Sequence, residues 1–276
     1  MASPTSSQQP RRLAELRVDE IADYLTTRDT AIIPVGATEQ HGRHLPLGVD
    51  AMTAIAVAED AAAQTGVIVT PPVWFGWSPH HMGFAGTVTL RPETLTHLIE
   101  DLGSSLLHHG FRRIIVVNGH RLANLPPLAI AATRLRADTG AAVVVADLAH
   151  LAQPEYAHWA QTEGTFIGHA DGYETGHMLH LHPELVDASA VPEDAAPAHP
   201  QSLRTIDPSI ASTRAAWWPS TEAELVASGD GSSGRPSWGD AERGETLHRA
   251  MVRDLVELIG QVEGFAVAVR RPEAPR

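Results

Sequence analysis

Four groups of carboxylates and imidazoles stand out along this chain: Glu39-Gln40-His41 with Asp50, the pair His80-His81, His120, and His169 with Glu174. Glu39 and His41 are one residue apart, so an extended backbone points both side chains the same way. Asp50 opens a helical pattern, and His120 follows an apolar run and Asn118-Gly119. Carboxylates and imidazoles without thiolates suit zinc, manganese or ferrous iron. Three carboxylates and two imidazoles are enough for two ions if one carboxylate bridges. Paired ions about 3.5–4 Å apart can generate a hydroxide and polarise a carbonyl. Taken singly, each residue has an ordinary reading: Glu39 as a solvated loop residue, Asp50 as a helix N-cap, His120 as a structural hydrogen-bonder. Their common position at the strand ends of one expected sheet raises the metal reading above what each residue alone supports, and both readings stay open at this point.

The elements that must position these groups follow from apolar periodicity. Helices are expected over Leu13 to Tyr24, Asp50 to Ala63, Pro92 to His109, Leu122 to Thr139, Gly172 to Leu181 and Asp240 to Ile259. Pro92 at a first helical position and Gly110 as a stop frame the third of these. Short apolar strands are expected at Ala31 to Val35, Val67 to Thr70, Thr87 to Leu90, Ile114 to Val117 and Ala142 to Ala146. Alternation of apolar strands with helices implies an α/β fold with a mostly parallel sheet covered on both faces. Ligands of such sheets bind at the carboxyl ends of the strands, where these polar groups fall. Residues 12–265 are expected to form a single α/β domain between a disordered tail over 1–11 and a flexible one over 266–276. Within it, 188–240 reads as a long irregular excursion near the active face, carrying Trp217 and Trp218.

Composition narrows the chemistry. The chain of 276 residues has no Cys, which removes thiol nucleophiles, disulfides and Cys-zinc sites. All its basic residues are Arg, which removes Schiff-base lysine chemistry. A formal charge of −13 argues against nucleic acid and anionic membranes as partners. With no apolar span and no apolar leader, the expected location is cytoplasmic.

Val35-Gly36-Ala37-Thr38-Glu39-Gln40-His41-Gly42, followed by His44-Leu45-Pro46-Leu47 and Asp50, resembles the creatininase family of metal-dependent amidohydrolases. Four further segments resemble the family's later motifs, in the same order: Ser78-Pro79-His80-His81 with Phe84-Ala85-Gly86-Thr87-Val88, Val116-Val117-Asn118-Gly119-His120, Gly168 to Thr175, and Pro236 to Gly244. The resemblance spans roughly residues 30 to 260. It implies a three-layer α/β/α sandwich, often a homohexamer, that holds two divalent metal ions, Zn or Mn with Fe as a further option. The implied ligands are Glu39, His41, Asp50 as the bridge, His120 and Glu174. Where creatininase itself has a liganding glutamate two residues after the Asn-Gly-His histidine, this chain has Leu122, so Glu174 must complete the second site or that site is weak.

The implied activity is hydrolysis of a C–N bond in a small cyclic amide or formamide by a metal-activated hydroxide. His169 and Glu174 form the catalytic set. His169 acts as general acid/base or, alternatively, hydrogen-bonds Glu174. His81, Trp77 and Arg121 are candidate contacts to a small-molecule substrate, although Trp77 could equally pack in the core and Arg121 could pair with carboxylates. His177, His180 and His182 read as surface residues. Other branches of the resemblance point to a peptide-derived cofactor precursor or a keto-sugar. A non-catalytic binding protein on the same fold is the reading from another class. Arg121-Leu122 in place of paired glycines, Asp171 in place of Gly and Gly176 in place of Ser reshape the pocket and count against creatinine itself.

Overall fold

Thr30–Val35 is buried along its whole length, as a strand covered on both sides must be. It lies at the centre of the fold. The computed structural model describes residues 9–192, 221–227 and 229–274. Five strands, β1 (Arg11–Arg12), β2 (Thr30–Val35), β3 (Ile68–Val69), β4 (Arg113–Asn118) and β5 (Ala142–Asp147), form one sheet in the order β1-β3-β2-β4-β5. All its pairings are parallel. The helices are α1 (Val18–Leu25), α2 (Val49–Thr65), α3 (Pro92–His109), α4 (Arg121–Thr139), α5 (Gln153–Glu163), α6 (Gly172–Leu181), α7 (Glu222–Ala227) and α8 (Ala241–Glu263).

Successive strand residues point to opposite faces, and this sorts the core into two layers. Ile32, Ile115 and Val117 pack with Ala54, Val57, Ala58 and Ala61 of α2 and with Leu247, Met251 and Leu255 of α8. Ala31, Ile33, Val35, Ile114 and Val116 pack with Leu95 and Ile99 of α3 and Leu128 and Leu135 of α4. The result is the expected α/β/α sandwich.

Register then places the site. Val35 pairs with Asn118, and Asn118 with Asp147, so three strands end level with one another. A Cβ on Gly36 would lie 2.3 Å from the Ala51 nitrogen, and one on Gly119 would lie 2.0 Å from the Asp50 carbonyl oxygen. Only glycine lets the first turn of α2 press against both strand ends, and that contact brings Asp50 beside His120.

The structure departs from the sequence expectations at several places. Thr87 to Leu90 is no strand of the sheet; its Val88 and Thr89 bridge to Thr38 and Gly76 in loops above the strand ends. Helix α5 was not anticipated; it buries Tyr156 and Trp159. Arg11, expected in a disordered tail, pairs with Ile68 in edge strand β1, and Arg12 clamps Glu59 at 2.6 Å. In the expected flexible C-terminus, Val267 and Val269 pack on the two core layers and the Arg270 N–H donates to the Thr139 carbonyl at 2.7 Å. Within 188–240, residues 193–220 with Trp217 and Trp218 lie outside the described residues. The remainder returns over the strand ends. Helix α7 lies against the turn Pro79–His81, and Ser233 bridges to His169. Among the described residues, no helix is long and apolar enough to cross a membrane.

Candidate metal centre

Loops at the carboxyl ends of β2 and β4 and the first turns of α2 and α6 bring the carboxylates and imidazoles to one place. Glu39 and His41 come from the β2–α2 loop. Asp50 sits in the first turn of α2, where Gly48 rather than Asp50 is the N-cap. His120 caps α4. Its backbone is tied by Asn118, whose Nδ2 donates to the His120 carbonyl (2.9 Å) and whose Oδ1 accepts the His120 N–H (3.2 Å). Glu174 lies in the first turn of α6. Asp171, unusual in its motif, caps that helix by accepting the N–H groups of Tyr173 and Glu174. Ala170 takes the left-handed conformation (φ 49), and its N–H holds Glu174 Oε2 at 2.5 Å.

Asp50 stands between two halves of the cluster. Its Oδ1 is 3.3 Å from His41 Nε2, and its Oδ2 is 3.3 Å from His120 Nδ1. On one side, Glu39 Oε2 lies 3.3 Å from His120 Nε2. On the other, Glu174 Oε2 lies 3.8 Å from His41 Nε2. The His41 Nδ1–H donates to the Glu39 carbonyl (3.1 Å), which turns Nε2 toward the two carboxylates.

The donor set fits cations. Both carboxylate oxygens of Glu39, Nε2 of His41 and Oδ2 of Asp50 are buried with no hydrogen-bond partner. A folded protein rarely leaves such groups unsatisfied, and their concentration at one point marks a ligand-binding place. Charge says the same. Burial alone would lower the pKa of His41, but Asp50, Glu174 and Glu39 outweigh it and hold the imidazole up to about 10. His120 is likewise held up to about 9, against burial, by Glu39 and Asp50. Burial raises Glu39 and Glu174 above the carboxylate range. Without a cation, this cluster borrows protons to balance its carboxylates. Glu39, Asp50 and His120 form one group with cation-binding spacing, and His41, His169 and Glu174 form another.

The profile of the creatininase family, described as creatinine amidohydrolase, matches residues 14–259. The chain belongs to the creatininase family. It is 33% identical over 175 residues to 3-dehydro-scyllo-inosose hydrolase of Thermotoga maritima, which covers 62% of this chain and 56% of that protein. The chain thus spans little more than half of that relative's length. To creatinine amidohydrolase of Pseudomonas putida it is 31% identical over 194 residues, 64% of this chain and 74% of the other. To the mycofactocin precursor peptide peptidase of Mycobacterium ulcerans it is 33% identical over 185 residues, 63% and 67% of the two chains. Among solved structures, a Zn–Zn form of a creatininase variant matches with a TM-score of 0.76 at 26% identity, over 94% of this chain and 100% of that one. A creatininase Mn form matches with a TM-score of 0.75 at 26% identity, over 93% and 100%.

Two further imidazoles lie against this cluster. His169 lies in the loop before α6, its ring 4.5 Å from that of His41 and 4.3 Å from that of His81. Its Nε2–H donates to the Gln40 carbonyl (2.6 Å), so the lone pair is on Nδ1, 3.7 Å from Glu39 Oε1. Burial and the neighbouring His41 push its pKa well below the usual imidazole range. Glu174 is held by Ala170, not by His169. His81 Nε2 lies 3.3 Å from Glu39 Oε1.

The other substrate candidates lie differently. The Trp77 ring packs on the layer of α3 and α4, while its carbonyl meets His120 Nε2 at 3.3 Å. Burial raises the carboxyls of Asp147 and Asp171, and the charge of Arg121 is among the smaller causes that pull both down, so this guanidinium lies near two of the fold's own carboxylates. Leu122 is exposed. His177, expected at the surface, is buried and shares a 2.9 Å hydrogen bond with His248, which in turn meets Asp60 at 2.9 Å. Its partner His248 on α8 lies 71 residues further along the chain, out of reach of a local i, i+3 pattern. Gln40, inside the Glu-Gln-His triplet, and Ser78 are not among the sequence candidates, yet Gln40 Nε2 lies 2.8 Å from His81 Nδ1 and Ser78 Oγ lies 3.4 Å from His120 Nε2.

His44 gives the fold an acid-sensitive point. It is buried, with Nε2 2.9 Å from Thr175 Oγ1. Burial pushes its pKa from 6.5 down to about 4 against an upward pull from Asp230. The unfolded chain therefore binds this proton near pH 6.5 and the folded chain only near pH 4. Stability is fully present above about pH 6.5 and declines as pH falls through that window, by up to about 3 kcal/mol. Urea unfolding at pH 7.5 and pH 5 is expected to show this loss in the wild type and a smaller one in His44→Gln.

Proposed function

We propose that this chain is a divalent-metal-dependent hydrolase that opens a C–N bond in a small cyclic amide or formamide. The orphaned buried ligand atoms of Glu39, His41 and Asp50 carry this reading. Glu39, Asp50 and His120 would hold one ion, and His41, Glu174 and the shared Asp50 the other. Bound zinc or manganese supplies Lewis acidity toward a carbonyl oxygen and a lowered pKa for water.

The chain's own groups divide the remaining work. His169 Nδ1 faces the site with its lone pair and takes the proton of the attacking water. The same atom then returns that proton to the leaving nitrogen. The Gln40 carbonyl holds the ring in the tautomer this needs. His81 Nε2, 3.3 Å from Glu39 Oε1, is the donor to the oxygen on which negative charge develops. Closure of 221–227 and 229–234 over the strand ends limits water around these groups.

Likeness to an inosose hydrolase and to a peptide peptidase sets the competing outcomes, because a shared fold and metal core do not fix a substrate. Zinc- and manganese-loaded protein should be tested on cyclic amides and formamides, a keto-sugar and a peptide. Turnover confined to the first group is expected. Turnover confined to the keto-sugar or the peptide would replace the proposed substrate class, and none at all would favour a binding role. A cytoplasmic homo-oligomer, hexameric as in the resemblance, goes with this reading.

A further inference from the structure

The side chain of Gln40 is buried (3% exposed) between three partners. Its Oε1 accepts the Gly42 N–H at 2.9 Å. Its Nε2 donates to the Gly231 carbonyl at 3.3 Å and lies 2.8 Å from His81 Nδ1. The two backbone partners fix which end of the amide is which. Turning the amide over would set its NH₂ against the Gly42 N–H and its oxygen against the Gly231 carbonyl, two contacts between like groups. The NH₂ therefore faces His81, and His81 Nδ1 must accept.

An imidazole that accepts at Nδ1 carries its proton on Nε2. That atom lies 3.3 Å from Glu39 Oε1. Glu39, His81 and His169 also have the spacing of a cation-binding group, a third one beside the two already described. A nitrogen that carries a proton cannot be a metal ligand. We propose that Gln40 is a positioning residue that locks His81 as an Nε2–H donor and so closes the Glu39–His81–His169 group to a further cation. Gly231 belongs to the segment that folds over the strand ends from 191 residues further along the chain, so the lock is set only when that segment is in place. The use of the donor in catalysis rests on the hydrolase reading; the tautomer does not.

The test is nitrogen-15 NMR of the full-length chain labelled at histidine, with and without zinc, at neutral pH. Two-bond proton–nitrogen correlations identify the protonated ring nitrogen, and His81→Gln assigns the signal. The wild type is expected to show His81 protonated at Nε2 only. Gln40→Glu, whose carboxylate accepts, is expected to move the proton to Nδ1. In Gln40→Leu, His81 is expected to show both tautomers while circular dichroism stays native. Bound zinc per chain is expected to rise by about one in Gln40→Glu relative to the wild type. A wild-type His81 protonated at Nδ1 overturns the proposal even if neither variant folds. So does an unchanged tautomer in a folded Gln40→Glu. Because the spectra need no turnover, absence of hydrolase activity leaves this result standing.

Discussion

Glu39→Gln is expected to reduce kcat/KM by at least about 10³-fold, roughly 4 kcal/mol of transition-state stabilisation, and to empty the half of the site shared with Asp50 and His120. Glu39 is fully buried, and both its oxygens lack hydrogen-bond partners. Residues that merely support metal ligands already cost 10- to about 100-fold in affinity when replaced, so loss of the ligand itself exceeds that. Gln conserves shape, which separates the metal effect from folding. A buried carboxylate without a cation is costly, so the metal-free variant should melt no lower than metal-free wild type. Calorimetry on both forms checks this. Lower melting of the metal-free variant together with unchanged metal binding would make Glu39 a structural residue.

His169→Gln is expected to behave differently: kcat falls by about 10²- to 10⁴-fold while metal content stays at the wild-type level. The reason is geometric. His169 Nδ1 lies close to ligand atoms of both halves, while its Nε2–H is spent on the Gln40 carbonyl. A neutral imidazole so held can accept one proton and return it. Steady-state kinetics with elemental analysis of the same preparation separates the two roles. Loss of one metal equivalent per chain would make His169 a ligand instead of a base.

Much of this was legible in the sequence because the signals are local. Pro92 to His109 reads to the residue, opened by Pro92 and closed by Gly110 at φ 111. Gly172 to Leu181 does so as well. Glu39, His41, Asp50, His120 and Glu174 were visible because each follows an apolar strand or opens a helix, and a parallel sheet sends such positions to one edge. Features set by distant partners were not visible. Thr87 to Leu90 has the composition of a strand, yet Val88 and Thr89 pair with Thr38 and Gly76 in the loops above the strand ends, partners that no local pattern reveals. Arg121 was open to a substrate contact or to pairing with carboxylates, and only the fold shows that Asp147 and Asp171 are the carboxyls near its charge. The role of Gln40 depends on Gly231, far along the chain.

Metals per chain, measured by elemental analysis on protein purified without added metal and again after reconstitution with Zn or Mn, test the central claim most directly, with Glu174→Ala alongside. Two equivalents in the wild type and one in the variant are predicted, because Glu174 faces His41 on the side of Asp50 away from His120. One equivalent in both proteins would remove Glu174 from the ligand set and leave Leu122 without a replacement. No metal in either, even after reconstitution, would contradict the metal centre itself.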